Sequence, residues 1–155
     1  MKINIDWLAI QLLLCYTNID EFVGESSRTR LWEWSPDGRG QPSEHEGDWW
    51  IGGYEKYQGK QGQNPGDIQG DAPTGTLTSS EFMITGEKIN FLIGGGTHPI
   101  GDGAGATAVV LEIDGDIVLE STGSNTETMA RAEWDVSGFK GNLAVIKIID
   151  ENPGG

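Results

Sequence analysis

Apolar side chains recur at every second position in Phe82 and Ile84, and again in Ile89, Phe91 and Ile93, on either side of Gly86-Glu87-Lys88. A spacing of two places them on one face of an extended chain, so two strands joined by a tight corner are predicted. The run closes in Gly94-Gly95-Gly96, which predicts a loop, because glycine accepts positive φ and lets another backbone or a ligand come close. Val109, Leu111 and Ile113 alternate in the same way, Asp114-Gly115 supplies a favoured hairpin turn, and Ile117 and Leu119 return. Trp134 and Val136 form a further inward face, after which Ser137 to Gly141 turns the chain. Leu143 to Ile149 is apolar on both sides except at Lys147, the pattern of a central, covered strand.

The rest of the chain is less regular. Ile3, Ile5 and Trp7 alternate with Asn4 and Asp6, predicting a half-buried strand that Leu8 to Leu14 either continues or turns away from. Between Gly24 and Gly70 no period persists, and Trp32, Trp34, Trp49, Trp50, Tyr54 and Tyr57 lie among Gly, Pro, Asp and Glu. Spans of this kind inside a compact domain tend to be functional, so short strands near Leu31 to Trp34 and Trp49 to Tyr54 with binding loops between them are expected. Thr97 to Ala106 reads as a glycine-rich loop.

Composition sharpens this picture. At 155 residues, with 24 Gly and 6 Pro, the chain suits one domain, residues 1–155, of many short strands. The expected fold is all-β, an antiparallel β-sandwich of the jelly-roll kind (concanavalin- or galactose-binding-like) with roughly nine or ten strands. A formal net charge of -14 argues against nucleic acid and anionic membrane as partners. Cys15 stands alone, which excludes an internal disulfide and a cysteine-based zinc site. The apolar run Trp7 to Tyr16 has the length of a signal-peptide core but lacks a small-x-small cleavage site, and it is half of the roughly 20 residues that cross a membrane.

The candidate chemistry is aromatic and acidic. Asp48, Trp49, Trp50, Tyr54 and Glu55 combine flat apolar rings with carboxylates, the pairing that a sugar's C–H faces and surrounding hydroxyls require. Alternation sends one of Trp49 and Trp50 to the core, so Trp50 is taken for the site. His98 on its glycine loop suits a hydroxyl or a metal, with a solvated histidine as the plain alternative. Arg131, expected at the start of a strand, offers a fork for adjacent hydroxyls, or a salt bridge to Glu133, Glu127 or another acid. Two carboxylates across a cleft would make a glycosidase, and abundant acids make any single pairing, such as Asp48 with Glu55, uninformative. Gly-x-Ser-x-Gly and His-Glu-x-x-His motifs and a phosphate loop are all missing.

DWWIGGYE (Asp48 to Glu55), QGDAPTGTLTSSEF (Gln69 to Phe82), INFLIGGG (Ile89 to Gly96) and TGSNTETMARAEWDVSGFKG (Thr122 to Gly141) resemble the levan-binding β-sandwich modules appended to bacterial secreted fructan hydrolases such as levanase. The matches are specific as a set and cover about two thirds of the chain. The resemblance implies a protein that is extracellular or at the cell surface and binds a terminal, fructoside-like sugar of a polysaccharide without cleaving it, hence no enzyme. Asp48, Trp50, Tyr54, Glu55, His98 and Arg131 would be the contacts. It requires no cofactor but admits a structural calcium, for which Asp20, Glu21, Asp102, Asp114 and Asp116 show no calcium-loop spacing.

In such modules a last strand follows the Gly-Gly that here stands at Gly154-Gly155, and Lys2 to Asp6 resembles that strand moved to the front. Residues 1–16 are therefore expected to be a displaced strand segment filling a vacancy beside Leu143 to Ile149. Filled within one chain, the vacancy makes a circular permutant; filled from a neighbour, it makes a strand-donated homo-oligomer, a self-assembling structural subunit. The closeness of chain ends in compact domains favours the first.

Overall fold

The computed structural model describes residues 8–13, 22–23, 28–30, 44, 46, 49–52, 61–62 and 70–153. Eleven strands lie among them: β1 (Leu8–Leu13), β2 (Phe22–Val23), β3 (Arg28–Arg30), β4 (Trp49–Gly52), β5 (Gly75–Ser79), β6 (Phe82–Met83), β7 (Lys88–Gly95), β8 (Thr107–Ile113), β9 (Asp116–Thr122), β10 (Thr126–Asp135) and β11 (Leu143–Asp150). One sheet has the order β10-β7-β1-β4-β3; the other runs β2-β5-β11-β8-β9, with β6 also pairing to β11. Every pairing is antiparallel. The fold is thus the expected all-β, antiparallel β-sandwich.

The core lies between the sheets. Ile89, Phe91, Ile93 and Trp134 face Leu77, Val109, Leu111, Ile113, Ile146 and Ile148, all buried. Phe91 and Trp134 meet edge to face with centroids 4.8 Å apart, and the Trp134 Nε1–H donates to Ser121 Oγ at 2.9 Å, tying β10 to β9 of the other sheet. On β11, apolar on both sides as read, Lys147 finds the Glu112 carboxylate at 2.6 Å.

Three readings change. The strands around Gly86 do not pair with each other: Phe82 and Met83 pair with Ala144 and Leu143, while Lys88 to Asp135 begins the β7–β10 ladder. The corner between them carries the chain from one sheet to the other, held by Ile84 to Asn142 and Val136 to Glu87 backbone bonds. Gly94 and Gly95 are strand rather than loop, paired with Ala9 and Leu8 on one side and, at Gly95, with Thr126 on the other. There is no vacancy beside Leu143 to Ile149, because β8 covers one edge of β11, and β5 with β6 covers the other. The N-terminal strand that is seen, β1, lies in the opposite sheet between β7 and β4 of the same chain. The proposed strand over residues 2–6 and the short strand near Leu31 to Trp34 lie outside the described residues; a strand is present just before the latter, at β3.

Candidate functional site

The described contact residues occupy two places. Arg131 sits in the middle of β10 rather than at a strand start, opposite Leu92 of β7. Its neighbours Ala130 and Ala132 pair with Ile93 and Phe91 of the core, so alternation turns Arg131 to the outer face, where its side chain is exposed. Leu92 continues that row to Gln11 of β1. The β1–β4 register, Ala9 with Gly52 and Ile10 with Ile51, carried on by one residue, aligns Gln11 with Trp50, which itself pairs with Thr29 of β3. Ile51, the next residue along β4, packs against the core. Trp50 and Arg131, 81 positions apart in sequence, therefore share one cross-strand row, separated by three strand spacings or roughly 14 Å.

The Arg131 guanidinium pairs with Glu46, a residue the sequence reading did not single out. Glu133, offered as a partner for Arg131, instead holds Lys88 at 2.7 Å. The contact places the Glu46 carboxylate at the outer face of the five-stranded sheet. Leu92, though on that outer face by alternation, is only 3% exposed, so the face is covered at this point. Arg131 and Glu46 thus present an exposed guanidinium–carboxylate pair on this face, and Trp50 holds a register position in the same row.

His98 lies six residues beyond Leu92, past the end of β7. Its backbone carbonyl accepts from the Thr107 N–H at 2.8 Å, an isolated bridge that closes the loop over residues 97–106. The ring Nδ1 is 3.3 Å from an Asp102 carboxylate oxygen, and Asp102 also accepts from the Ala104 N–H at 2.8 Å. The Ala104 bond, and then the His98 ring, hold the Asp102 carboxyl below its ordinary range. The Ile100 N–H donates to Glu120 at 2.7 Å, fastening the loop to β9. His98 is thus a fixed, part-buried group directed by Asp102. It belongs to the end of the sandwich, not to the row of Arg131 and Trp50. Asp48, Tyr54 and Glu55 lie outside the described residues.

The acids considered for calcium are otherwise engaged or scattered. Asp102 serves the loop, Asp114 takes the positive φ of 53° in the hairpin turn, and Asp20 and Glu21 lie outside the described residues. No group of three or more His, Cys, Asp or Glu side chains suited to a metal occurs among the described residues. One carboxyl departs strongly from its ordinary behaviour: burial, opposed by a bond from the Asn152 backbone and reinforced by the charge of Asp71, raises Asp150 to about 6. No described helix is long and apolar enough to cross a membrane.

Comparison with known proteins adds one relative. Over 102 residues, 64% of this chain, the sequence is 44% identical to a protein of Aspergillus rugulosus named "Putative glycosyl hydrolase ecdE". The match spans 14% of the length of that relative. No family model matches, and no solved structure matches. This name overturns the expectation that the chain is no enzyme: where a non-catalytic fructan-binding module was expected, the relative found is named "Putative glycosyl hydrolase".

Proposed function

We propose that this sandwich handles carbohydrate as part of a glycosyl-hydrolase-type protein, recognising a terminal, fructoside-like sugar on the outer face of its five-stranded sheet. The observation that carries the reading is the cross-strand row that joins Trp50 to Arg131. A pyranose or furanose ring offers an apolar face and a rim of hydroxyls, so an aromatic position and a guanidinium–carboxylate pair on one surface match both halves. The name of the Aspergillus relative supports the substrate class, and the net charge of -14 favours a neutral polymer over an anionic one. Asp48, Tyr54, Glu55 and His98 are proposed as further sugar contacts on their chemistry alone. A polysaccharide partner fits an extracellular or cell-surface setting.

Calorimetric titration with levan, inulin and a panel of glucans tests the proposal, with reducing-sugar release measured on the same panel. Binding to one fructan is expected, and Arg131→Ala is expected to weaken it at least about tenfold by removing a charge-assisted contact. Silence across the panel would sink the reading.

A further inference from the structure

The loop over residues 97–106 re-enters the fold at Thr107, the first residue of β8, whose register partner is Asp150, the last residue of β11. On its other side Thr107 is bridged to His98, and the Glu151 N–H donates to the Ala106 carbonyl at 2.7 Å. His98, Thr107 and Asp150 therefore stand in one cross-strand row, through which the loop is tied to the sheet. Alternation continues the core-facing side from Val109 to Thr107 and from Ile148 to Asp150, so a hydroxyl and a carboxylate share a face where the core ends. Side chains paired in this way have Cβ atoms about 5 Å apart, within reach of each other. Thr107 is fully buried, and neither its Oγ1 nor the enclosed Oδ1 of Asp150 has a hydrogen-bond partner among the described residues. A carboxyl enclosed with so few donors favours its protonated form, because the proton removes a buried charge. Burial is accordingly the main cause that raises Asp150 to about 6, opposed by the bond from the Asn152 backbone. The described groups around it do not reverse this. Asp71, before β5, adds negative charge, and Glu151, next along the chain, is exposed. Across Thr107, His98 is engaged with Asp102, while Gly75 of β5 and the Gly94-Gly95 end of β7 bring no charge.

We propose that Asp150 and Thr107 form a pH-sensitive latch at the foot of the His98 loop, shut while the Asp150 carboxyl carries its proton and released when the proton is lost. Protonated, the carboxyl donates its O–H to the Thr107 Oγ1, and two enclosed polar atoms satisfy each other. Ionised, it places a charge at the end of the core that only water can solvate fully, and water entering there parts Thr107 from Asp150. The ties that give way are the ones beside them: the end of the β8–β11 ladder, the Glu151 to Ala106 bond and the His98 to Thr107 bond. The loop's inner bonds, Asp102 to Pro99, Gly105 to Asp102 and Ala104 to the Asp102 carboxylate, do not involve Asp150. The loop therefore loosens as a unit, with His98 still directed by Asp102 and the Ile100 to Glu120 bond as its remaining tether.

Amide hydrogen exchange of the full chain at pH 4 and pH 7, corrected for the pH dependence of intrinsic exchange, tests the latch. Protection of the amides of His98, Thr107 and Glu151 is expected to fall about tenfold from the lower to the higher pH, while the β7–β10 ladder keeps its protection. Asp150→Asn, nearly the same shape and unable to ionise, is expected to hold the same protection at both. Should Asp150→Asn fail to fold, Asp150→Ser, which keeps a hydroxyl for Thr107, makes the same comparison. Wild-type protection at the loop foot that does not change with pH overturns the proposal. So does a variant that keeps the wild-type pH dependence, or a loss at pH 7 spread evenly over both sheets.

Discussion

Single residues here act mostly through what they permit their neighbours to do. Gly123 is the sharpest case, because a Cβ at that position would overlap the Gly95 carbonyl and lie 2.8 Å from the Gly95 nitrogen. The Thr97 hydroxyl donates to the Gly123 carbonyl at 2.9 Å and the Asn125 N–H to the Gly95 carbonyl at 2.8 Å, which lock the two backbones together. Gly123→Ala is therefore expected to cost about 1–3 kcal/mol in urea unfolding, by forcing packed backbone apart. The triple glycine announced a close approach in the sequence, but its partner, 28 positions on, was not legible. Asp150 sets a second expectation at this scale. Its carboxyl is raised from 3.8 to about 6, so the folded chain holds that proton more tightly than the unfolded chain. The resulting stability is complete below about pH 4 and lost as pH rises through about 6. A shift of two pKa units sets a ceiling of about 3 kcal/mol, which solvent screening at this partly exposed group reduces to about 1–2 kcal/mol. The difference in unfolding free energy between Asp150→Asn and the wild type should change by that amount between pH 4 and 7, in favour of the variant at the higher pH. Nothing in the sequence flagged Asp150, since an acid at the end of an apolar strand is ordinarily solvated.

At the scale of elements, local chemistry and long-range pairing had different visibility. The β8–β9 hairpin was readable because its turn is encoded in two adjacent residues: Asp114 and Gly115 take φ of 53° and 88°, values that bulky or β-branched residues resist. Gly115→Val is expected to destabilise the protein by about 1–2 kcal/mol, measured by chemical denaturation. β11 was equally clear from its two apolar faces. The Gly86 corner shows the limit of such reading. Alternation identified the inward residues of β6 and β7 correctly, with Phe82, Ile89, Phe91 and Ile93 all buried, yet assigned the strands to each other when each pairs in a different sheet. A period of two specifies a face, and both sheets of a sandwich present the same kind of face to one core.

For the whole molecule, the candidate site exists only through assembly. Trp50 and Arg131 fall in one cross-strand row because β4, β1, β7 and β10 lie side by side, an order unrelated to their order in the chain. The same assembly separates His98 from that row and bridges its backbone to Thr107 of β8. Glu46, the partner of Arg131, could not be chosen from 24 acidic residues by any local rule. The chain's alternation, turn residues and glycine content were sufficient by themselves to specify an all-β sandwich, its inward-facing residues, its hairpin and its central strand, because face and turn are properties of neighbouring residues. Which strand lies beside which, where β1 inserts, and which polar groups meet at the sheet face and at the end of the core were decided by the tertiary structure alone. Hydrogen-bonded ladders are alike for every sequence, so the choice among partners falls to packing across the entire fold.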